Sequence, residues 1–127
     1  MIRASAVVID VNDLAGETEF WAGLLGSSPV RSGAEDWLDV APLGGGLMLS
    51  LQLVGERKTH KNRLHLDLEV ADFAATRDLA VRLGALPVSD VHEPGQPWQV
   101  FADPEGNEFC LISVAAVEPD DLPVAVE

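Results

Sequence analysis

His65, Asp67 and Glu69 stand at alternate positions in the segment NRLHLDLEV and form the most chemically suggestive group in this 127-residue chain. In a strand, a period of two puts all three on one face while the intervening leucines point the other way. A neutral imidazole beside carboxylates serves as a general base or holds a ligand by hydrogen bonds. A buried histidine satisfied by a neighbouring acid predicts the same pattern, because buried polar groups find partners. Asp10 shares an alternating pattern with Val8 and Ala6 near the N-terminus; it either lines the same pocket or ends its strand in solvent. Cys110 is the single cysteine and forms no intramolecular disulfide. As a nucleophile it needs a depressed pKa and exposure; otherwise it is a small hydrophobe. Trp37 and Trp98, with Met48, offer an aromatic lining for a small molecule, and core packing selects the same residue types. Trp21 follows Phe20 and reads as core or subunit contact.

The elements that position these residues occur twice. Residues 6–26, AVVIDVNDLAGETEFWAGLLG, align with residues 65–84, HLDLEVADFAATRDLAVRLG, so that Asp13 matches Asp72 and Gly26 matches Gly84. Internal repetition of this kind decides architecture more firmly than local propensity. Each half opens with an alternating apolar run, Val7, Ile9 and Val11 in the first and Leu66, Leu68 and Val70 in the second, which predicts a half-buried strand. Asn12 or Asp13, and Asp72, suit helix N-caps, and helices follow at 14–25 and 73–83. Gly26 and Gly84 fit the left-handed position that ends a helix. Strands are expected at 36–41, 47–54, 98–102 and 108–114, with short ones near 30 and 88. Each half is therefore a βαβββ module, and the fold class is α+β. In 47–54 the four leucines Leu47, Leu49, Leu51 and Leu53 share the face assigned to the helices, leaving Met48, Ser50, Gln52 and Val54 on the other. For Phe109 and Leu111 against Glu108, Cys110 and Ile112 both sets are largely apolar, and the pattern does not choose.

Composition sets outer bounds. The length suits one domain, expected over 1–117 with module one at about 5–54, module two at about 63–114 and an acidic tail over 118–127. Hydrophobic residues at 47% and charged residues at 23% describe a globular chain. Eight Lys plus Arg against 21 Asp plus Glu give a net charge of −13, which repels phosphate backbones and anionic lipid, so neither nucleic acid nor membrane is an expected partner. No apolar run approaches the ~20 residues of a membrane span, and the N-terminal stretch does not read as a signal peptide, so the expected location is the cytoplasm. Half of the positive charges, Arg57, Lys58, Lys61 and Arg63, lie in the connector between modules together with His60. They either draw an anionic ligand or form a solvated loop.

The pattern D-L-x(5)-FW-x(2)-LLG from Asp13 to Gly26, with NRLHLDLEV and DPEGNEF later in the chain, resembles the glyoxalase / bleomycin-resistance / dioxygenase superfamily, also called vicinal oxygen chelate proteins, over residues 5–114. Within it the chain is most similar to glyoxalase-like domain proteins. The resemblance implies a cupped, mostly antiparallel sheet with helices outside, a homodimer, and a divalent metal held by the first and last strands of both modules. The second-module first-strand ligand falls on His65, seven residues before Asp72, but its first-module counterpart is Ala6, which has no donor atom. The last-strand glutamates fall near Ser50 or Gln52 and on Cys110. His65 and Cys110 are thus the metal ligands the resemblance leaves, fewer than the three or four protein donors a catalytic ion needs. Three functions follow as expectations. The first is a metal-free protein binding a small metabolite or antibiotic through Val8, Asp10, Trp37, Met48, Ser50, Gln52, His65, Asp67, Trp98 and Cys110. The second is a divalent-metal lyase or dioxygenase. The third is a metal-free acid/base enzyme with His65 and Asp67 as catalytic residues.

Overall fold

The structure is a computed structural model describing residues 1–31 and 34–117; the expected acidic tail, 118–127, lies outside the described residues. Between Arg57 and Lys58 the chain divides into two compact units. Each has the order expected from the repeat. The first runs β1 (Ala6–Val11), α1 (Leu14–Leu25), β2 (Val30–Arg31), β3 (Trp37–Gly44), β4 (Leu47–Leu53), and the second β5 (Leu66–Val70), α2 (Phe73–Leu83), β6 (Leu86–Pro87), β7 (Trp98–Ala102), β8 (Glu108–Ser113). The architecture is α+β, two βαβββ modules with one four-stranded sheet each, ordered β1-β4-β3-β2 and β5-β8-β7-β6. In both sheets the first and last strands of the module pair in parallel and the remaining pairs are antiparallel.

Local chemistry sets the helix ends. Asp13 caps α1 by accepting the Gly16 N–H at 3.0 Å, and Asp72 caps α2 by accepting the Ala75 N–H at 3.1 Å. Asn12, the alternative cap, instead donates to the carbonyls of Val54 and Glu56 at 3.0 and 2.9 Å, tying the end of β1 to the segment after β4. Gly26 and Gly84 take φ of 65° and 117°, a left-handed backbone open to glycine without a Cβ clash.

Each sheet packs one face on its own helix. In the first module α1 lies on β3 and β4, and Phe20 and Trp21 meet edge-on at 5.2 Å in a core with Leu38, Leu49 and Leu51. Leu53, expected beside them, is 41% exposed because it closes β4 beyond the helix's cover, whereas Ser50, on the opposite face, is fully buried. In the second module α2 packs on β8 through Phe73 and Ala80, and Phe101 and Phe109 stack at 5.7 Å. Leu111 joins them with no exposure. The register pairs Leu66 with Phe109 and Asp67 with Cys110, which assigns Phe109 and Leu111 to the helix face and Cys110 to the open one.

The turn before β8 is fixed by Asp103, whose carboxylate accepts the Glu105 and Asn107 N–H groups, both at 2.9 Å, and the Asn107 amide at 3.1 Å. No helix among the described residues is long and apolar enough to cross a membrane.

Candidate functional site

Paired residues of neighbouring strands share a face of the sheet. In the first module this puts Ala6 beside Met48, Val8 beside Ser50 and Asp10 beside Gln52, and then Ser50 beside Asp39 and Gln52 beside Trp37. All six residues expected from the first module, Val8, Asp10, Trp37, Met48, Ser50 and Gln52, therefore lie on the face of one sheet opposite its helix. Val8 is 39% exposed there and Asp10 is exposed, while Trp37, Met48 and Gln52 are half-buried. The register also bears on the first-module glutamate position, which the resemblance puts at Ser50 or Gln52. Val8 is equivalent to Asp67, and because Asp67 pairs with Cys110 and Val8 with Ser50, that position is Ser50 rather than Gln52.

Asp39, which the sequence reading passed over, organises this face. Its Oδ1 accepts the Trp37 Nε1–H at 3.0 Å and the Ser50 hydroxyl at 2.7 Å. A single oxygen thus orients an indole and satisfies a buried hydroxyl. The alternation Trp37, Asp39 marked the face, but the bond to Ser50 joins residues eleven apart and needed the strand register.

In the second module His65, Asp67, Trp98 and Cys110 share the open face of the other sheet. His65 Nε2 lies 3.3 Å from Asp67 Oδ1, with 58% and 57% of the two side chains exposed. His65 is therefore not the buried histidine that one reading of the sequence required; its imidazole and its acid partner are both open to a ligand. Glu69 is exposed on the same strand. Cys110 pairs with Asp67 in the ladder and is 4% exposed. Burial raises its thiol above the ordinary value and the nearby Asp67 charge raises it further, against a smaller lowering by a backbone hydrogen bond from Gln99. These are the opposite of the conditions that activate a cysteine. Trp98 is 39% exposed, and the ring of His92, a residue the sequence reading did not single out, stacks on it at 3.8 Å with 9° between planes.

Two of the connector cations, Lys58 and Lys61, have local partners. Lys61 pairs with Glu108, Lys58 donates to the His60 carbonyl at 2.6 Å, and Asn62 accepts the Glu108 N–H at 3.0 Å. On the helix-bearing side of the first module, Leu14, Ala15, Thr18, Glu19 and Leu38 line an open groove of about 520 Å³ that includes none of the expected site residues.

The residues at the four positions that the resemblance assigns to metal ligands are Ala6, Ser50, His65 and Cys110. They do not fit a divalent ion: Ala6 has no donor and the Ser50 hydroxyl is committed to Asp39, which leaves fewer than the three or four protein donors that such an ion needs. Among the described residues no group of three or more His, Cys, Asp or Glu side chains is arranged to hold a metal ion.

A family model described as the glyoxalase-like domain matches residues 6–112. Solved structures share the fold at low identity. A glyoxalase-related enzyme from Fulvimarina pelagi is 17% identical with a TM-score of 0.71, covering 90% of this chain and 89% of its own. The fosfomycin resistance protein FosX from Mesorhizobium loti is 19% identical with a TM-score of 0.69, covering 90% and 94%. TnmS3, an antibiotic binding protein from Streptomyces sp. CB03234, is 21% identical with a TM-score of 0.63, covering 89% and 96%. No curated protein matches the sequence. With both modules spanned by the family model, the chain belongs to the glyoxalase-like domain family.

Proposed function

We propose that this chain is a small-molecule-binding glyoxalase-like protein with a degraded metal site, which sequesters or transforms a metabolite or antibiotic on the open faces of its sheets. Two things support the reading: the positions that the resemblance assigns to metal ligands carry Ala6, Ser50, His65 and Cys110, and the faces around them have the mixed aromatic and polar character of a ligand site. On the first module Val8, 39% exposed, offers apolar contact with Asp10, Asp39 and Gln52 as hydrogen-bonding groups on the same face; on the second, Trp98, also 39% exposed, does so with His65 and Asp67. Antibiotic binding in TnmS3 and fosfomycin resistance in FosX support the same direction for this chain. The same donor set weighs against the divalent-metal lyase or dioxygenase. A single domain over 1–117, a homodimer and a cytoplasmic location complete the proposal, and the net charge of −13 disfavours nucleic acid as a partner.

The test is a binding panel of fosfomycin, bleomycin and planar aromatic antibiotics, read by tryptophan fluorescence, with each compound recovered and analysed by mass spectrometry. Saturable binding with the compound returned unchanged supports sequestration. Failure of every compound to bind saturably overturns the reading.

The exposed His65–Asp67 pair favours a second reading, in which His65 moves a proton and Asp67 orients its ring. That reading requires pH-dependent turnover of a bound compound that His65→Gln abolishes; turnover unaffected by the change excludes it.

A further inference from the structure

We infer that the open face of the first module recognises an organic cation, with Asp39 Oδ2 accepting an N–H of a protonated amine or amidinium group whose carbon skeleton lies against Val8 and Met48. The inference rests on the reading of this face as ligand-binding and names the chemistry of the ligand.

The observation behind it is a carboxylate used on one side only. Asp39 Oδ1 takes both the Trp37 indole N–H at 3.0 Å and the Ser50 hydroxyl at 2.7 Å, whereas Oδ2 accepts no hydrogen bond among the described residues. A carboxylate has about four acceptor sites, so half of this one remains available. The two donors lock the group's orientation, so that Oδ2 is pre-aimed and a ligand needs to order little on binding. No described cation pairs with Asp39, and Asp10 lies exposed on the same face, so the local field favours positive charge.

The repeat supplies an internal control. The positions of Trp37, Asp39 and Ser50 correspond in the second module to Trp98, Val100 and Cys110, since Trp98 pairs with Ile112 and Val100 with Cys110 just as Trp37 pairs with Gln52 and Asp39 with Ser50. The same sheet is thus built with a tryptophan and two weakly polar or apolar residues. The fold does not require a carboxylate here, and the two donors that compensate this one both fall on Oδ1. A charged ligand group would use the acceptor sites that the two donors leave on Oδ2.

The experiment uses the ¹⁵N-labelled full chain, in which the three tryptophans give three indole N–H resonances and Trp37→Phe identifies the one beside Asp39. Benzylammonium chloride, benzyl alcohol and phenylacetate are titrated at constant ionic strength. The expected result is a saturable shift of the Trp37 indole resonance with benzylammonium, at least about tenfold tighter than with benzyl alcohol, and no saturation with phenylacetate. Asp39→Asn retains an acceptor for Trp37 and Ser50 but removes the charge, and is expected to erase the preference. Ser50→Ala, a positioning change, is expected to weaken benzylammonium severalfold while keeping the order of the three probes. Equal affinity for the charged and neutral probes in the wild-type chain, or an unchanged preference in a folded Asp39→Asn variant, overturns the inference. Either outcome leaves the proposed function standing if a compound of the antibiotic panel still binds saturably.

Discussion

Replacing Asp103 by alanine tests how the second module holds the strand that carries Cys110. Asp103 is 1% exposed and its carboxylate accepts N–H groups from the Glu105 backbone at 2.9 Å, the Asn107 backbone at 2.9 Å and the Asn107 side chain at 3.1 Å. Asn107 is 9% exposed, so its two donors are cut off from water when the acceptor is removed, while the Glu105 N–H is near enough to the surface to be rehydrated. An orphaned buried donor costs about 1–3 kcal/mol. Two of them, with a smaller loss for the third, give about 3–6 kcal/mol. For a chain of this length each kcal/mol is about 3–5 °C in melting temperature, so Asp103→Ala is expected to lower Tm by about 10–25 °C. Asp103→Asn keeps a neutral acceptor for the two backbone donors and sets an amide against the Asn107 amide; its loss should be about 1–3 kcal/mol. Thermal unfolding followed by circular dichroism reads both variants. A drop below 3 °C for the alanine variant, or an asparagine variant worse than alanine, refutes the hydrogen-bond reasoning.

Other consequences are as direct. Cys110 starts from an ordinary value of 9.0 and is raised by burial and then by Asp67, so its thiolate fraction at pH 7.5 is below about 3% and iodoacetamide labelling should be slow and rise with pH through the entire range to 9. Asp67→Asn removes the second cause, lowers the thiol's pKa and should speed labelling at fixed pH; a slower reaction in that variant contradicts the assignment. Phe109→Ala empties a fully buried site stacked on Phe101 and should cost about 3–5 kcal/mol by urea denaturation. Gly84→Ala places a Cβ 3.3 Å from the Pro104 ring at a φ of 117°, and should lower Tm despite alanine's better helix propensity.

The modules were legible because their signals are local and occur twice. Asp13 and Asp72 at the helix starts, Gly26 and Gly84 at the ends, and the alternating runs before each cap placed both helices and their first strands where the structure has them. What escaped the sequence depends on partners across strands. Asp39 looked like an ordinary strand residue, and only the pairing of β3 with β4 brings it to Ser50. A register shift between Asp39 and Ala41 also breaks the alternation that would have carried the face assignment along β3. Ser50 and Gln52 were equally good candidates for the family's ligand position until the parallel pairing with β1 selected Ser50. In β4, four leucines at alternate positions overstated the core, because a strand's end is covered by less of the helix than its middle, and Leu53 falls outside. The His92–Trp98 stack involves a residue outside the main strands, at an isolated bridge with no periodicity to announce it.

If this glyoxalase-like chain binds its ligand without a metal, its affinity is independent of divalent ions. The most direct measurement is the affinity of an antibiotic-panel compound for protein dialysed against EDTA, compared with the same protein after addition of Zn²⁺, Ni²⁺ or Mn²⁺. The account predicts equal affinity in every sample and no change in metal content on His65→Ala. Binding that vanishes on dialysis and returns with one equivalent of metal, but not in the His65→Ala variant, would contradict it.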